Sequence, residues 1–322
     1  MGSGGSLLSF IIRRLLITVP LLLLISFGVF SLVLILPGNP ALTLAGGVHS
    51  TPHEVALITR QLHLNEPFWK QYLRWLNGVI HGNLGESLFN PGVSVASGIA
   101  TRFPVTLTLA VGGMLLSVLI GIPAGIIAGV RNGTARDRLV TVGSSLGVAI
   151  PDFWLALLLV ILFAVDTHAL PALGYVQWST SPWQWFQHLI LPWVALGIGG
   201  SATIARQVRG ALIDTLDQDY MRTAVAKGLG PRVVIGKHAL KNALSPAVTV
   251  IGIQFGYLLG GTLIIEQIFS LPGIGQYILQ AISEKDLPVI QGVVLVTATA
   301  FVVINLIVDV IYGYLNPKIR LA

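Results

Sequence analysis

Asp219-Tyr-Met-Arg-Thr-Ala-Val-Ala-Lys-Gly-Leu-Gly-Pro-Arg-Val-Val-Ile-Gly-Lys-His-Ala-Leu-Lys-Asn-Ala-Leu-Ser-Pro246 is a basic, punctuated segment in a chain otherwise dominated by apolar runs. Tyr220 to Lys227 reads as a short amphipathic helix. Gly228 and Gly230 then free the backbone, and Pro231 suits the first position of a following helix. From Val233 onward, Val234, Ala239, Leu240, Ala243 and Leu244 recur at roughly helical spacing, with Lys227, Arg232, Lys237 and Lys241 on the polar side. Pro246 is expected to break the helix where the next apolar run begins. A basic helix–turn–helix between two membrane spans belongs on the cytoplasmic surface, against anionic lipid or docked into another protein.

Working outward, the class is plain. Of 322 residues, 54% are hydrophobic and 10% charged, and the mean hydropathy is +0.81. Soluble domains carry about 25% charged residues, so this is an all-α polytopic membrane protein. The net charge of +6 does not imply nucleic acid, because the cations sit in short loops between apolar runs. With no cysteine, disulfides and thiolate metal sites are excluded. Residues 1–6, Met1-Gly-Ser-Gly-Gly-Ser6, read as an engineered linker.

Six stretches are long enough to span about 30 Å of hydrocarbon: Phe10–Leu36, Pro104–Val130, Leu139–Val165, His188–Ala205, Val248–Ile268 and Val289–Leu315. The fourth is short and rich in Gly197, Gly199 and Gly200. Alternation from an N-terminus held inside by Arg13 and Arg14 places 14 of the 19 Lys and Arg on the cytoplasmic side, so both termini are expected there. The predicted organisation is therefore a first span over 7–36, an external helical segment over 37–101, and a five-helix core over 102–322 whose loop 206–246 faces the cytoplasm.

Polar residues at membrane depth are costly and usually face a cavity or a partner. Asp152 and Trp154 follow Pro151, which interrupts the third span; Gln254 and Glu266 lie on the fifth; Asn305 and Asp309 share one face of the sixth. A loop arginine is the expected partner of Asp309. Gly252, Gly256 and Gly260 form a small-residue stripe for close packing, within the chain or against a partner permease.

The quoted segment resembles the coupling loop of binding-protein-dependent ABC import permeases, with Ala224 and Gly228 at that motif's spacing. Arg222 replaces its usual Glu, and His238-Ala-Leu-Lys241 replaces Ile-x-Leu-Pro. Both departures look like the di-/oligopeptide (nickel/peptide) branch. Arg13-Arg-Leu-Leu, Pro37-Gly-Asn-Pro40, Gln71-Tyr-Leu-Arg-Trp-Leu76, Leu170-Pro, Glu266 with Leu271-Pro-Gly-Ile-Gly275, and the run from Asn305 to Arg320 are similar to the same branch. The resemblance implies a type I importer fold and a B-type permease subunit in a bacterial or archaeal cytoplasmic membrane. It implies a C-type companion permease, two ATPase subunits carrying ATP and Mg, and an external substrate-binding protein, with no cofactor on this chain. It assigns the ATPase contact to Tyr220, Met221, Arg222, Thr223, Ala224, Val225, Lys227, Gly228, Leu229, Lys237 and Lys241, with Tyr220, Met221, Val225 and Leu229 inserted.

One alternative is an intramembrane serine hydrolase on Ser145, within Gly143-Ser-Ser-Leu-Gly147. That chemistry needs a strand–turn–helix elbow and a histidine base, whereas this run lies inside an apolar helical stretch. A phosphate loop fails as well: Gly230 to Lys237 has one residue too many between its glycines and His238 where Ser or Thr is needed.

Overall fold

The computed structural model describes residues 7–35, 41–42, 45, 50–61, 63–90 and 92–315. The linker at 1–6, the Pro37–Pro40 turn and the basic tail with Lys318 and Arg320 lie outside the described residues. The helices are α1 (Leu7–Ile35), α2 (Pro52–Gln61), α3 (Phe68–Ile80), α4 (Val95–Val130), α5 (Ala135–Ala149) and α6 (Asp152–Leu159), the last continued by a π-helical turn over Val160–Asp166. Then come α7 (Pro182–Leu216), α8 (Asp219–Ala226), α9 (Leu240–Ile268), α10 (Ile274–Glu284) and α11 (Leu287–Leu315).

Among the described residues, five helical stretches are long and apolar enough to cross a membrane, and α5 with α6 makes a sixth if that bent pair is one span. The third expected span is thus not a straight helix with a local interruption. It turns by 97° at Ile150–Pro151, where the absent proline N–H and the extended backbone forced on the preceding residue end α5. The opposite happens at Pro246, which lies inside α9 without ending it.

The chain divides into two compact units, formed by the described residues of Met1–Arg14, Val105–Gly275 and Phe301–Ala322, and of Leu15–Pro104 and Gln276–Ala300. In the first, α7 is the central helix. The short, glycine-weakened fourth span expected over His188–Ala205 is in fact 35 residues long, capped by Ser181, whose hydroxyl accepts from the Gln184 N–H, with Pro182 at the first turn. Its glycines mark where α4 crosses closely. A Cβ on Gly197 would fall 2.6 Å from the Leu116 side chain, and one on Gly125 of α4 would fall 2.6 Å from the Ala205 carbonyl oxygen. Van der Waals packing of small residues, not helix propensity, decides this pair. Gly125→Leu is therefore expected to overpack the crossing by about 1–3 kcal/mol, read as a lowered unfolding midpoint in detergent; an unchanged midpoint would refute this close approach.

The same reasoning decides between the two readings of the α9 stripe. Gly252 faces Val308 and Gly256 faces the Phe301 ring of α11 in the same chain, so neither is available to a partner permease; Gly260 alone has open space before it. Arg14 pairs with Asp309 of α11 at 2.7 Å; the partner is an arginine, as expected, but it stands within helix α1 and not in a loop.

The second unit is organised around α1 and α3. Phe68, Tyr72 and Trp75 of α3 pack against Phe27 and Phe30 of α1. The Tyr72 hydroxyl lies 2.9 Å from that of Ser26. A buried Asp286 ties in the stretch that follows α3, accepting from the Ser87 hydroxyl and the Leu88 N–H.

Candidate coupling surface and buried polar sites

The segment Asp219–Pro246 folds as a short helix set on a firm base. α8 ends in a paired C-terminal cap: the Gly228 N–H donates to the Val225 carbonyl at 2.9 Å and the Leu229 N–H to Ala224 at 3.4 Å. Gly228 has φ +79°, and a Cβ there would meet nothing within 4 Å. The glycine is thus required by its left-handed backbone, not by a close neighbour. Beyond it, Pro231–Val233 and a π-helical turn over Val234–Ala239 run directly into α9. The Asn242 amide donates to the Tyr220 hydroxyl at 3.0 Å and ties α8 to that continuation.

Burial sorts the α8 residues into two sets. Met221 is 2% exposed and Ala224 is buried, both packed with Leu212 of α7 and with Val234, Ala239 and Ala243. Val225 is 60% exposed, and Tyr220, Leu229 and Val233 are exposed beside it. Arg222, Thr223, Lys227, Lys237 and Lys241 also face outward. Met221, expected as an inserted anchor, is instead a foundation. At helical spacing, positions 221 and 224 share the face that the chain itself covers.

On the same unit the loop between α4 and α5 is clamped to α7. Buried Asp137 accepts from Arg209, whose Nη2 lies 2.8 Å from Oδ2, and from the Gly133 N–H at 2.9 Å. In the sequence Arg209 counts only as a cytoplasmic charge, because partners 72 residues apart leave no local signal.

The far end of α9 holds the most buried carboxylate among the described residues. Glu266 is fully buried, accepts from the Thr106 hydroxyl at 2.6 Å, and is wrapped by Leu271–Gly275. Thr106 in turn accepts from the Ile274 N–H at 2.9 Å. A Cβ on Gly273 would fall 2.3 Å from the carboxylate carbon, so these glycines let the loop close over it. Glu266, a sequence candidate for the translocation path, is here enclosed by the chain itself and joins α4, α9 and the start of α10. Asp152 and Trp154 are exposed at the α5–α6 corner, with Asp152 Oδ1 close to Gly199 of α7. Gln254 is half-buried. The exposed face of α9 is instead Ile253, Tyr257, Gly260 and Ile264, one helical stripe. Helical spacing alone marks this stripe once Tyr257 is weighed with the polar residues.

Ser145 sits inside α5, its hydroxyl donating to the Thr141 carbonyl of its own helix at 2.9 Å. That is not the elbow a serine nucleophile requires.

Comparison with known proteins decides the family. Residues 121–321 match the model for "Binding-protein-dependent transport system inner membrane component", and residues 7–110 match that for the N-terminal part of such membrane components. The chain belongs to this family. The permease is 40% identical over 97% of its length, and 99% of the relative's, to a probable peptide ABC transporter permease protein, y4tP, of Sinorhizobium fredii. It is 40% identical to the dipeptide transport system permease protein DppB of Alkalihalophilus pseudofirmus, covering 98% of the permease and 100% of that protein. It is 39% identical to the glutathione transport system permease protein GsiC of Escherichia coli, covering 98% and 99%. Among solved structures, an inward-facing MetNI methionine ABC transporter chain matches with a TM-score of 0.56 at 20% identity, covering 68% of the permease and 96% of that chain. The importer fold is thereby shared.

Proposed function

We propose that this permease forms one half of the translocation pathway of an ATP-driven importer of di- or oligopeptides, paired with a second, C-type permease. Both termini lie in the cytoplasm, two ATPase subunits holding ATP and Mg dock beneath, and an external binding protein delivers cargo. The observation that carries the reading is the build of α8: a capped helix resting on Met221 and Ala224, presenting Tyr220, Val225 and Leu229 outward, and joined by a short turn and the Asn242–Tyr220 hydrogen bond to a helical rod through the membrane. That rod, Pro231–Ile268, has 38 residues, about 57 Å at the α-helical rise.

Mechanism follows from stiffness. An apolar patch of this kind fits a cleft, while Lys227, Lys237 and Lys241 at its edge steer association. Closure of the ATPases displaces α8. Its buried base moves with it, and α9 carries the displacement toward the Glu266 junction. Access then alternates as α9 swings the Tyr257 stripe, which with Asp152 is the best candidate for a pathway-facing surface, because Ile253, Tyr257 and Ile264 remain exposed after the chain has packed all it can. Catalysis of hydrolysis belongs to the ATPases and not to this chain.

The test is reconstitution with the companion permease, the ATPases and the binding protein in proteoliposomes. ATP-dependent peptide uptake is expected. Gly228→Val should assemble yet lose most of the uptake and of the cargo-stimulated ATP hydrolysis, since a β-branched residue resists φ +79°. Normal uptake by assembled Gly228→Val complexes would refute the coupling role.

A further inference from the structure

Helix α3 carries a continuous apolar arc, and the chain covers only part of it. On a helical wheel the arc runs from Trp75 through Phe68, Tyr72 and Trp69 to Leu73, while Asn77, Lys70 and Arg74 occupy the other side. The covered part packs edge-on or tilted against Phe27 and Phe30, with ring centroids 5.2–5.9 Å apart. The remainder is bare: Trp69, Leu73 and Ile80 are 58%, 54% and 72% exposed and lie in one row.

The depth of this contact identifies what covers the row. Helix α1 stays apolar to its end at Ile35. Phe30 and Ser26, which receive α3, lie five and nine residues before Ile35, hence about 7 and 13 Å below the helix end. Interfacial amphipathic helices bury their apolar face about 5–10 Å into the headgroup–acyl boundary, a depth that the Phe30 contact matches. On α1 itself Leu24 and Phe27 are exposed at this level, so the bare row continues a surface that is already in hydrocarbon. Lys70 Nζ sits 5.5 Å from the centroid of the Trp69 ring, a cation beside an indole, as suits a headgroup region.

We infer that α3 is an interfacial membrane helix whose Trp69–Leu73–Ile80 row is embedded among phospholipid acyl chains, in the leaflet at the end of α1 remote from Arg13 and Arg14. The external segment is then anchored to the bilayer and presents only its polar arc, with Lys70 and Asn77, to an arriving protein. The conclusion goes beyond the importer reading and is decided separately from it.

The chain has no cysteine, so single-site labels are unambiguous. The full chain is placed in nanodiscs of phosphatidylethanolamine and phosphatidylglycerol, spin-labelled at Leu73→Cys, Ile80→Cys, Lys70→Cys or Asn77→Cys. Collision with oxygen, which partitions into lipid, is compared with collision with a water-soluble nickel chelate. A several-fold higher oxygen-to-nickel ratio at positions 73 and 80 than at 70 and 77 is the expected result. Equal ratios at all four would overturn the proposal. So would nickel access at 73 and 80 that disappears only when an external binding protein is added, because the row would then be a protein-docking face. The readout needs neither ATPase nor cargo, so its failure and that of the transport reading are distinguishable.

Discussion

Val225→Asp, or Leu229→Asp, is expected to leave the permease folded and inserted while releasing the ATPases at any salt concentration. Both residues face outward, so neither removes packing within the chain, and exposed substitutions usually alter folding by less than about 0.5 kcal/mol. A charge placed in a desolvated anchor pocket removes about 2–4 kcal/mol of association, or 30- to 1000-fold in affinity. Met221→Asp is the contrast. That side chain lies against Leu212, Val234 and Ala243, and an unpaired carboxylate there belongs with the rare changes that cost about 4 kcal/mol or more. Its complexes should fail through loss of the folded permease, seen as lost yield and a collapsed unfolding transition. Co-purification of the ATPases measures the first arm. If they remain bound to Val225→Asp and Leu229→Asp, α8 is not the dock. If Met221→Asp is stable, the foundation role is wrong.

Glu266→Ala is expected to have the second largest effect, and at the opposite end of α9. The substitution empties a cage closed by Gly273 and Gly275, and it takes the acceptor from Thr106, which also receives the Ile274 N–H. Cavity and lost hydrogen bond together amount to about 3–5 kcal/mol. Glu266→Gln retains shape and an acceptor oxygen and should recover most of the stability. Thr106→Val, with Glu266 intact, should loosen the same junction, and the two losses should be strongly non-additive in a double-mutant cycle. In assembled complexes the signature of a transmission role is ATP hydrolysis that persists while uptake falls. Equal loss of both, or additive single losses, would reduce Glu266 to a packing residue.

Much of the Asp219–Pro246 segment is legible in the amino-acid sequence. Gly228 in the left-handed region, Pro231 at a helix start and a short helix before them follow from backbone sterics, which act within a few residues and leave a local signature. The apolar runs mark the spans for the same reason: a helix in lipid must satisfy its own backbone, and its composition shows it. Even so, local rules misjudge α7, whose glycines look like weakness. Only the crossing with α4 reveals them as clearance for a neighbouring backbone.

Local sequence therefore dictates the class of the molecule, the approximate reach of its helices and the punctuated basic loop. Which helix faces are spent is a matter of tertiary packing. Packing turns Met221 inward and Val225 outward, gives Gly252 and Gly256 to α11 of the same chain, joins Asp137 to Arg209, and closes a loop over Glu266. The difference is one of range. Periodicity states that a helix has an apolar or small-residue face, but the neighbour covering that face is chosen by contacts between residues as much as 160 positions apart, for which no local pattern exists.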